Sequence, residues 1–204
     1  MSRSVVLAAL IGAVALCGTA KAEPLFAFLA PAAPTQLAPQ TAALAPAEEE
    51  DEGPVDARLR RQIVSYAGHE APGTIIVDTP NTHLYYVLGS GKAMRYGIGV
   101  GREGFTWSGV KSVERKTEWP DWYPPSEMLA RQPYLPRMTA GGPGNPLGAR
   151  AMNLGATVYR IHGTNAPETI GQAVSSGCFR LVNDDVADLY SRVQLGTKVL
   201  VQHQ

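Results

Sequence analysis

The sequence predicts a mainly β domain with one amphipathic helix near its C-terminus and long irregular loops. Three observations predict it. Short β-branched runs bounded by Gly, Pro and Asn recur from residue 74 onward. A clear 3.6-residue apolar period occurs at Val186, Leu189, Tyr190 and Val193. Between residues 101 and 148 the chain is rich in Gly, Pro and Trp and follows neither period.

The first run, Thr74-Ile75-Ile76-Val77-Asp78, predicts a strand, and Pro80-Asn81 a turn after it. His83-Leu84-Tyr85-Tyr86-Val87-Leu88 predicts a second strand, joined through Gly89-Ser90-Gly91-Lys92 to a third over residues 93–100. Runs at 111–119, 157–162 and 197–201 have the same character. For the helix, Asn183 is the expected N-cap, Asp184 and Asp185 complement the N-terminal dipole, and Gly196 closes the turn that follows. Leu59, Ile63 and Tyr66 sit at helical spacing, which predicts a brief helix within residues 55–72. Trp119-Pro120-Asp121-Trp122-Tyr123-Pro124-Pro125 suits either a hydrophobic lid over a site or tryptophans packed beneath their own loop.

Ahead of this domain, Arg3 precedes an apolar run over residues 5–16 that is too short to span a membrane, and Ala20-Lys21-Ala22 offers small residues for cleavage. Residues 1–22 are therefore expected to be a secretory signal, leaving no stable membrane span after cleavage. A lipoprotein reading at Cys17 conflicts with the bulk of Leu16 before it. Residues 23–72 form an expected linker, Ala- and Pro-rich with the acidic run Glu48-Glu49-Glu50-Asp51-Glu52; the domain occupies 73–204. With 18 basic and 18 acidic residues the chain lacks the positive footprint of a nucleic-acid binder.

Loss of the leader leaves Cys178 as the sole cysteine. It is either a buried small hydrophobe or a reactive thiol that an oxidising compartment tolerates for a purpose. Gly99-Val100-Gly101-Arg102-Glu103-Gly104 has dinucleotide spacing, but Phe105-Thr106-Trp107-Ser108-Gly109 does not open the helix such a site needs, so no cofactor is expected. The histidines, at 69, 83, 162 and 203, are too scattered for a metal site.

The chemistry-bearing stretch is Tyr159-Arg160-Ile161-His162-Gly163-Thr164-Asn165, followed by Ser175-Ser176-Gly177-Cys178-Phe179-Arg180-Leu181-Val182-Asn183. A thiol attacks as thiolate, and lowering its pKa from ~8.5 to about 7 needs roughly 2 kcal/mol, which a neighbouring imidazolium can supply. His162 and Cys178 are 16 positions apart, so the chain must fold back for them to meet; Asn165-Ala166-Pro167 provides a turn. Gly177 permits close backbone approach, amides of Ser176, Gly177 and Cys178 can form an oxyanion hole, and Arg180 adds positive charge.

These segments resemble the signature of the L,D-transpeptidase (YkuD-type) catalytic domain, a His-Gly pair followed by Ser-x-Gly-Cys-x-Arg-x-x-Asn. The resemblance covers roughly residues 74–201 and includes Gly97-Ile98-Gly99-Val100-Gly101, Asn145-Pro146-Leu147-Gly148 and Gly196-Thr197-Lys198-Val199. It implies a β-sandwich or barrel with a short helix after the catalytic cysteine. It further implies that Cys178 is the nucleophile, His162 its base and later acid, and the Gly163 carbonyl the group that orients the imidazole. Arg180, Tyr159 and Asn183 are the implied substrate-binding residues. Ser176 stands where the family more often has His. The implied reaction releases D-Ala from a peptidoglycan tetrapeptide stem and passes the acyl group to an amine, water or a lysine of an outer-membrane protein, in the periplasm; carbapenems would acylate Cys178. Sortases share the His-before-Cys order but place their arginine farther on. A wall-binding protein without turnover would not need the thiol.

Overall fold

Ile75, Ile76 and Val77 have no polar side chain to turn toward water, and the strand they build is buried on both faces. It lies inside a nine-stranded sheet in the computed structural model of the protein, which describes residues 55–203. The expected leader, and the Ala/Pro-rich stretch with its acidic run, lie outside the described residues. The strands are β1 (Gln62–Ser65), β2 (Ile75–Asp78), β3 (His83–Gly89), β4 (Lys92–Gly97), β5 (Val100–Gly101), β6 (Gly109–Glu118), β7 (Arg150–Leu154), β8 (Arg160–His162), β9 (Ala173–Ser175), β10 (Phe179–Arg180) and β11 (Lys198–Gln202). The helices are α1 (Ser126–Arg131) and α2 (Asn183–Arg192).

The sheet runs β1-β4-β3-β2-β11-β6-β7-β8-β10, while β5 and β9 form a separate parallel pair. β6 is the hinge of the sheet. Its first residues pair with β11 and its later ones with β7, and the β7 register shifts between Val113 and Arg115. Such an irregularity bends a strand and increases its twist. Both halves of the sheet contribute to one core: Ile75, Val77, Leu84 and Tyr96 from one, Met152, Leu154, Ile161 and Phe179 from the other. The sheet ends at β1 and β10 instead of closing on itself, so the mainly β fold is sandwich-like.

α2 buries Val186 and Leu189 in that core, with Val193 just past its end. Each such side chain contributes roughly 1.5–3 kcal/mol. Lys116 on β6 donates to the carbonyls of Tyr190 (2.7 Å) and Val193 (2.6 Å), satisfying C-terminal groups of the helix with a cation of favourable sign.

Local signals and structure part company at three places. Residues 57–59 form only a 3-10 turn, after which β1 pairs antiparallel with β4; Leu59 is buried but Ile63 is 59% exposed. The open hydrogen-bonding edge of β4 takes up this segment as a strand in place of the expected helix. Asn183 is the first helical residue, and its Oδ1 accepts from Ala149 N–H at 2.9 Å instead of capping α2, whose N-cap is Val182. β4 stops at Gly97, whose Cα packs against the Leu59 carbonyl.

The long segment after β6 is pinned at its base by Asn145, a fully buried residue. Its amide donates to the carbonyls of Pro120 (3.0 Å), Thr139 (2.9 Å) and Ala140 (3.0 Å), and its Oδ1 accepts from Leu147 N–H (2.8 Å). Burying an amide requires that its polar atoms be paired, and these pairings hold both arms of the loop together. Trp122 and Thr139 exchange backbone hydrogen bonds farther out. Trp122 is half-buried, whereas Trp119 and Tyr123 are exposed.

Candidate active site

A parallel pairing of β8 with β10 sets Ile161 opposite Phe179 and His162 opposite Arg180. Ile161 and Phe179 are both in the core. Strand side chains alternate between faces, so His162 and Arg180 occupy the other face, and Cys178, two residues before Arg180, continues that row. Cys178 itself precedes β10, and its thiol interacts with the Val158 carbonyl and with the backbone of Arg160, two residues before His162. Arg160 and Arg180 act electrostatically on both His162 and Cys178.

The imidazole is held by its own neighbour. His162 Nδ1 lies 2.6 Å from the Gly163 carbonyl, to which Nδ1–H donates, and the Leu147 backbone is a second hydrogen-bonding partner of the ring. Gly163 is required by packing: a Cβ there would overlap Asn183 Oδ1 and press on Ala149 N and Gly148 Cα. Asn183 therefore braces the loop beneath the histidine, and its Oδ1 is already committed to Ala149. The Cys178 thiol is half-buried and points toward the Val158 carbonyl, 3.8 Å away.

Gly177 makes the nucleophile turn. Its φ is +99°, and a Cβ would lie 2.6 Å from the Tyr159 ring. Tyr159 stacks on Trp107 with centroids 4.7 Å apart, and Trp107 Nε1–H donates to the Gly177 carbonyl at 2.9 Å. Ser175 Oγ–H donates to the Cys178 carbonyl at 2.6 Å while its oxygen accepts from Gly177 N–H at 3.2 Å. Of the amides expected in an oxyanion hole, that of Gly177 is thus engaged by Ser175, which singles out Ser176 and Cys178. Trp107 and Ser175 are site residues that sequence reasoning did not assign. The signal for Ser175 was its place in the Cys178 motif; for Trp107, 70 residues upstream, no local signal exists.

The glycines at 99 and 101 serve this turn. β5 pairs with β9, Gly101 lies against Gly177 Cα, and Gly99 leaves room for the Arg180 guanidinium and exchanges backbone hydrogen bonds with Arg180. Arg180 Nη2–H donates to the Thr169 carbonyl at 3.4 Å, while its buried Nε has no partner among the described residues. Among the described residues no three His, Cys, Asp or Glu side chains cluster as metal ligands would.

Burial decides the charge state. It pushes the Cys178 thiol up, against the opposing pull of the Arg160 backbone and of the Arg160 and Arg180 charges. It pushes His162 down to about 4, against the pull of the Gly163 carbonyl. Both shifts favour the neutral thiol and the neutral imidazole over an ion pair.

Gly177→Ala is expected to destabilise the fold by about 2–3 kcal/mol, since it combines left-handed backbone with overlap on Tyr159; urea denaturation measures this, and a loss below about 0.5 kcal/mol would show that the turn can relax. The pH dependence of stability carries a second expectation. The folded His162 pKa lies below its ordinary 6.5, at about 4, so stability falls by about 3 kcal/mol as pH drops through that window. Burial raises Asp185 from 3.8 to about 6, so its contribution falls as pH rises through that range, the opposite sign. The two oppose each other in wild type, and Asp185→Asn is expected to expose the acid loss of His162. A flat stability profile for that variant in urea denaturation between pH 4 and 6.5 would show that folded His162 takes up its proton as readily as the unfolded chain.

The family model described as L,D-transpeptidase catalytic domain matches residues 72–201. The Escherichia coli K12 protein named Probable L,D-transpeptidase ErfK/SrfK is 39% identical over 139 residues, 64% of this chain and 44% of that one. The Probable L,D-transpeptidase YbiS of the same organism is 38% identical over 135 residues, 61% of this chain and 43% of its own. The chain spans less than half the length of these relatives. The solved catalytic domain of the E. faecium L,D-transpeptidase superposes with a TM-score of 0.51 at 25% identity, covering 66% of this chain and 100% of that one. With the match spanning both strands of the cysteine–histidine row, the chain belongs to the L,D-transpeptidase (YkuD) catalytic domain family.

Proposed function

We propose that the protein is a periplasmic cysteine acyltransferase that remodels peptidoglycan, with Cys178 as nucleophile and His162 as general base. The observation that supports this reading is the β8–β10 register, which sets His162, its Nδ1 committed to the Gly163 carbonyl, opposite Arg180, two residues beyond Cys178. Family membership supplies the substrate class.

In the first step the other ring nitrogen of His162 takes the Sγ proton as sulfur adds to the carbonyl of the third residue of a tetrapeptide stem. The oxyanion is received by the Ser176 and Cys178 amides, with Arg180 adding positive potential. Collapse breaks the bond to the terminal D-Ala, whose amine leaves with the proton from the imidazolium, and a thioester remains on Cys178. A side-chain amine from a second stem then attacks the thioester, giving its proton to His162, and the thiol is released. The product is a 3-3 cross-link. Water at the same step gives an L,D-carboxypeptidase, and a lysine of an outer-membrane protein gives a wall-anchored protein. Tyr159 braces the nucleophile turn through Gly177 and Trp107.

Intact mass of the protein after incubation with disaccharide-tetrapeptide, and separately with a carbapenem, tests this. Wild type is expected to gain a stoichiometric adduct on Cys178 and to release 3-3 muropeptide dimers; Cys178→Ala gains none. His162→Gln is expected to slow acylation by about 10²–10⁴-fold, the usual worth of general base catalysis. Absence of any wild-type adduct under reducing conditions would favour a non-catalytic wall-binding protein.

A further inference from the structure

The loop between β6 and β7 displays large side chains that the core does not use: Trp119 is 43% exposed, Tyr123 63%, Tyr134 79% and Met138 46%. Trp119 is held in that position by its backbone. Its φ is +42°, a conformation that bulky residues rarely adopt. Its N–H donates to the Ala149 carbonyl at 2.8 Å, and Gly141 packs against its own carbonyl. Asn145 ties Pro120 to Thr139 and Ala140 just beyond it. A strained backbone fixed on both sides presents the indole to solvent, so the exposure is built in. Its neighbours along the chain are Glu118, whose carboxylate is 3.2 Å from the Arg150 guanidinium, and, two residues on, Asp121, which accepts from Gly141 N–H.

Exposed aromatic side chains on a loop that also carries carboxylates match a pyranose, whose C–H face stacks on a ring while its hydroxyl and acetamido groups hydrogen-bond to polar side chains. Position favours the same ligand. In the sheet, β7 lies between β6 and β8, Glu118 is opposite Arg150, and the Arg150 carbonyl accepts from Gly163 N–H. Trp119 is thus two strand spacings, about 10 Å, from the end of β8 that carries His162, and three, about 14 Å, from the β10 side that carries Cys178. A stem whose third residue is at Cys178 reaches its sugar through three residues and the lactyl group that joins them to it, about four residue lengths or roughly 14 Å extended. The far side of the loop also meets the nucleophile turn: Arg131, at the end of α1, lies 5.2 Å from the Phe105 ring centroid, and the Phe105 carbonyl adjoins Gly177.

We propose that Trp119, with Tyr123 and Tyr134 of the same loop, is a stacking platform for the glycan strand that carries the donor stem. The proposal rests on the peptidoglycan reading above for its distance match, and its test separates the two. Cys178→Ala protein is titrated with GlcNAc–MurNAc oligosaccharide from which the peptides have been removed, with tryptophan fluorescence and calorimetry as readouts. Saturable binding is expected, weakened about tenfold by Trp119→Ala and largely retained by Trp119→Phe, with Tyr123→Ala as an independent variant and circular dichroism as the check on folding. In the enzyme with intact Cys178, Trp119→Ala is expected to lower the preference for disaccharide-tetrapeptide over free tetrapeptide by a similar factor. No binding of the peptide-free glycan, or equal binding by Trp119→Ala and the parent, overturns the proposal. Binding of the loop to anionic phospholipid vesicles in place of glycan overturns it in favour of a membrane surface. Glycan binding through Trp119 in a protein that forms no thioester would leave the platform standing and remove the acyltransferase.

Discussion

Two residue pairs, Phe179 with Ile161 and Arg180 with His162, form the parallel ladder on which the site depends. The alternation of side chains across a strand sends Phe179 and Ile161 to the core, and that burial fixes which residues face the other way. A slip of β10 by one residue would carry Arg180 into the core and Phe179 out of it, exchanging apolar for polar burial. The ladder is short, but it does not stand alone. The His162 carbonyl accepts from Leu181 N–H at 2.9 Å, and Gly99 and Arg180 exchange two backbone hydrogen bonds on the other edge of β10.

Around that ladder the remaining parts act on orientation and charge. Gly163 fixes the imidazole tautomer, Asn183 and Gly148 fit beneath Gly163, and Trp107 with Tyr159 holds the turn at Gly177. The same close packing buries His162 and half-buries Cys178, which favours the neutral form of each. A pair of this kind does not maintain a thiolate that an oxidising compartment would consume. It develops nucleophilicity only when a carbonyl is present to accept the attack. The arginines at 160 and 180 favour the charge that appears at that moment.

Much of this was legible in the sequence because the signals were local. The apolar runs of β2, β3 and β11 and the 3.6-residue period of α2 correspond to buried faces, and the glycine-bounded motif around Cys178 marks a real turn. What escaped depended on partners distant in the chain. The Leu59, Ile63 and Tyr66 spacing looked helical, yet the unpaired edge of β4 drew residues 62–65 into a strand. Asn183 is a good cap by type, but the Ala149 amide, 34 residues upstream, claims its oxygen. Trp107 reaches Gly177 across 70 residues. The expected imidazolium followed from reference pKa values, and only burial, which no local pattern records, reverses it.

The neutrality of the cysteine–histidine pair is tested most directly by the alkylation rate of Cys178 with iodoacetamide as a function of pH, followed by intact mass. With burial raising the thiol above its ordinary 9.0, the rate should stay low through neutral pH and climb only on the alkaline side, with His162→Gln leaving that midpoint nearly unmoved. A fast plateau already present at mildly acidic pH, lost in His162→Gln, would mean a standing thiolate–imidazolium pair and would contradict the account.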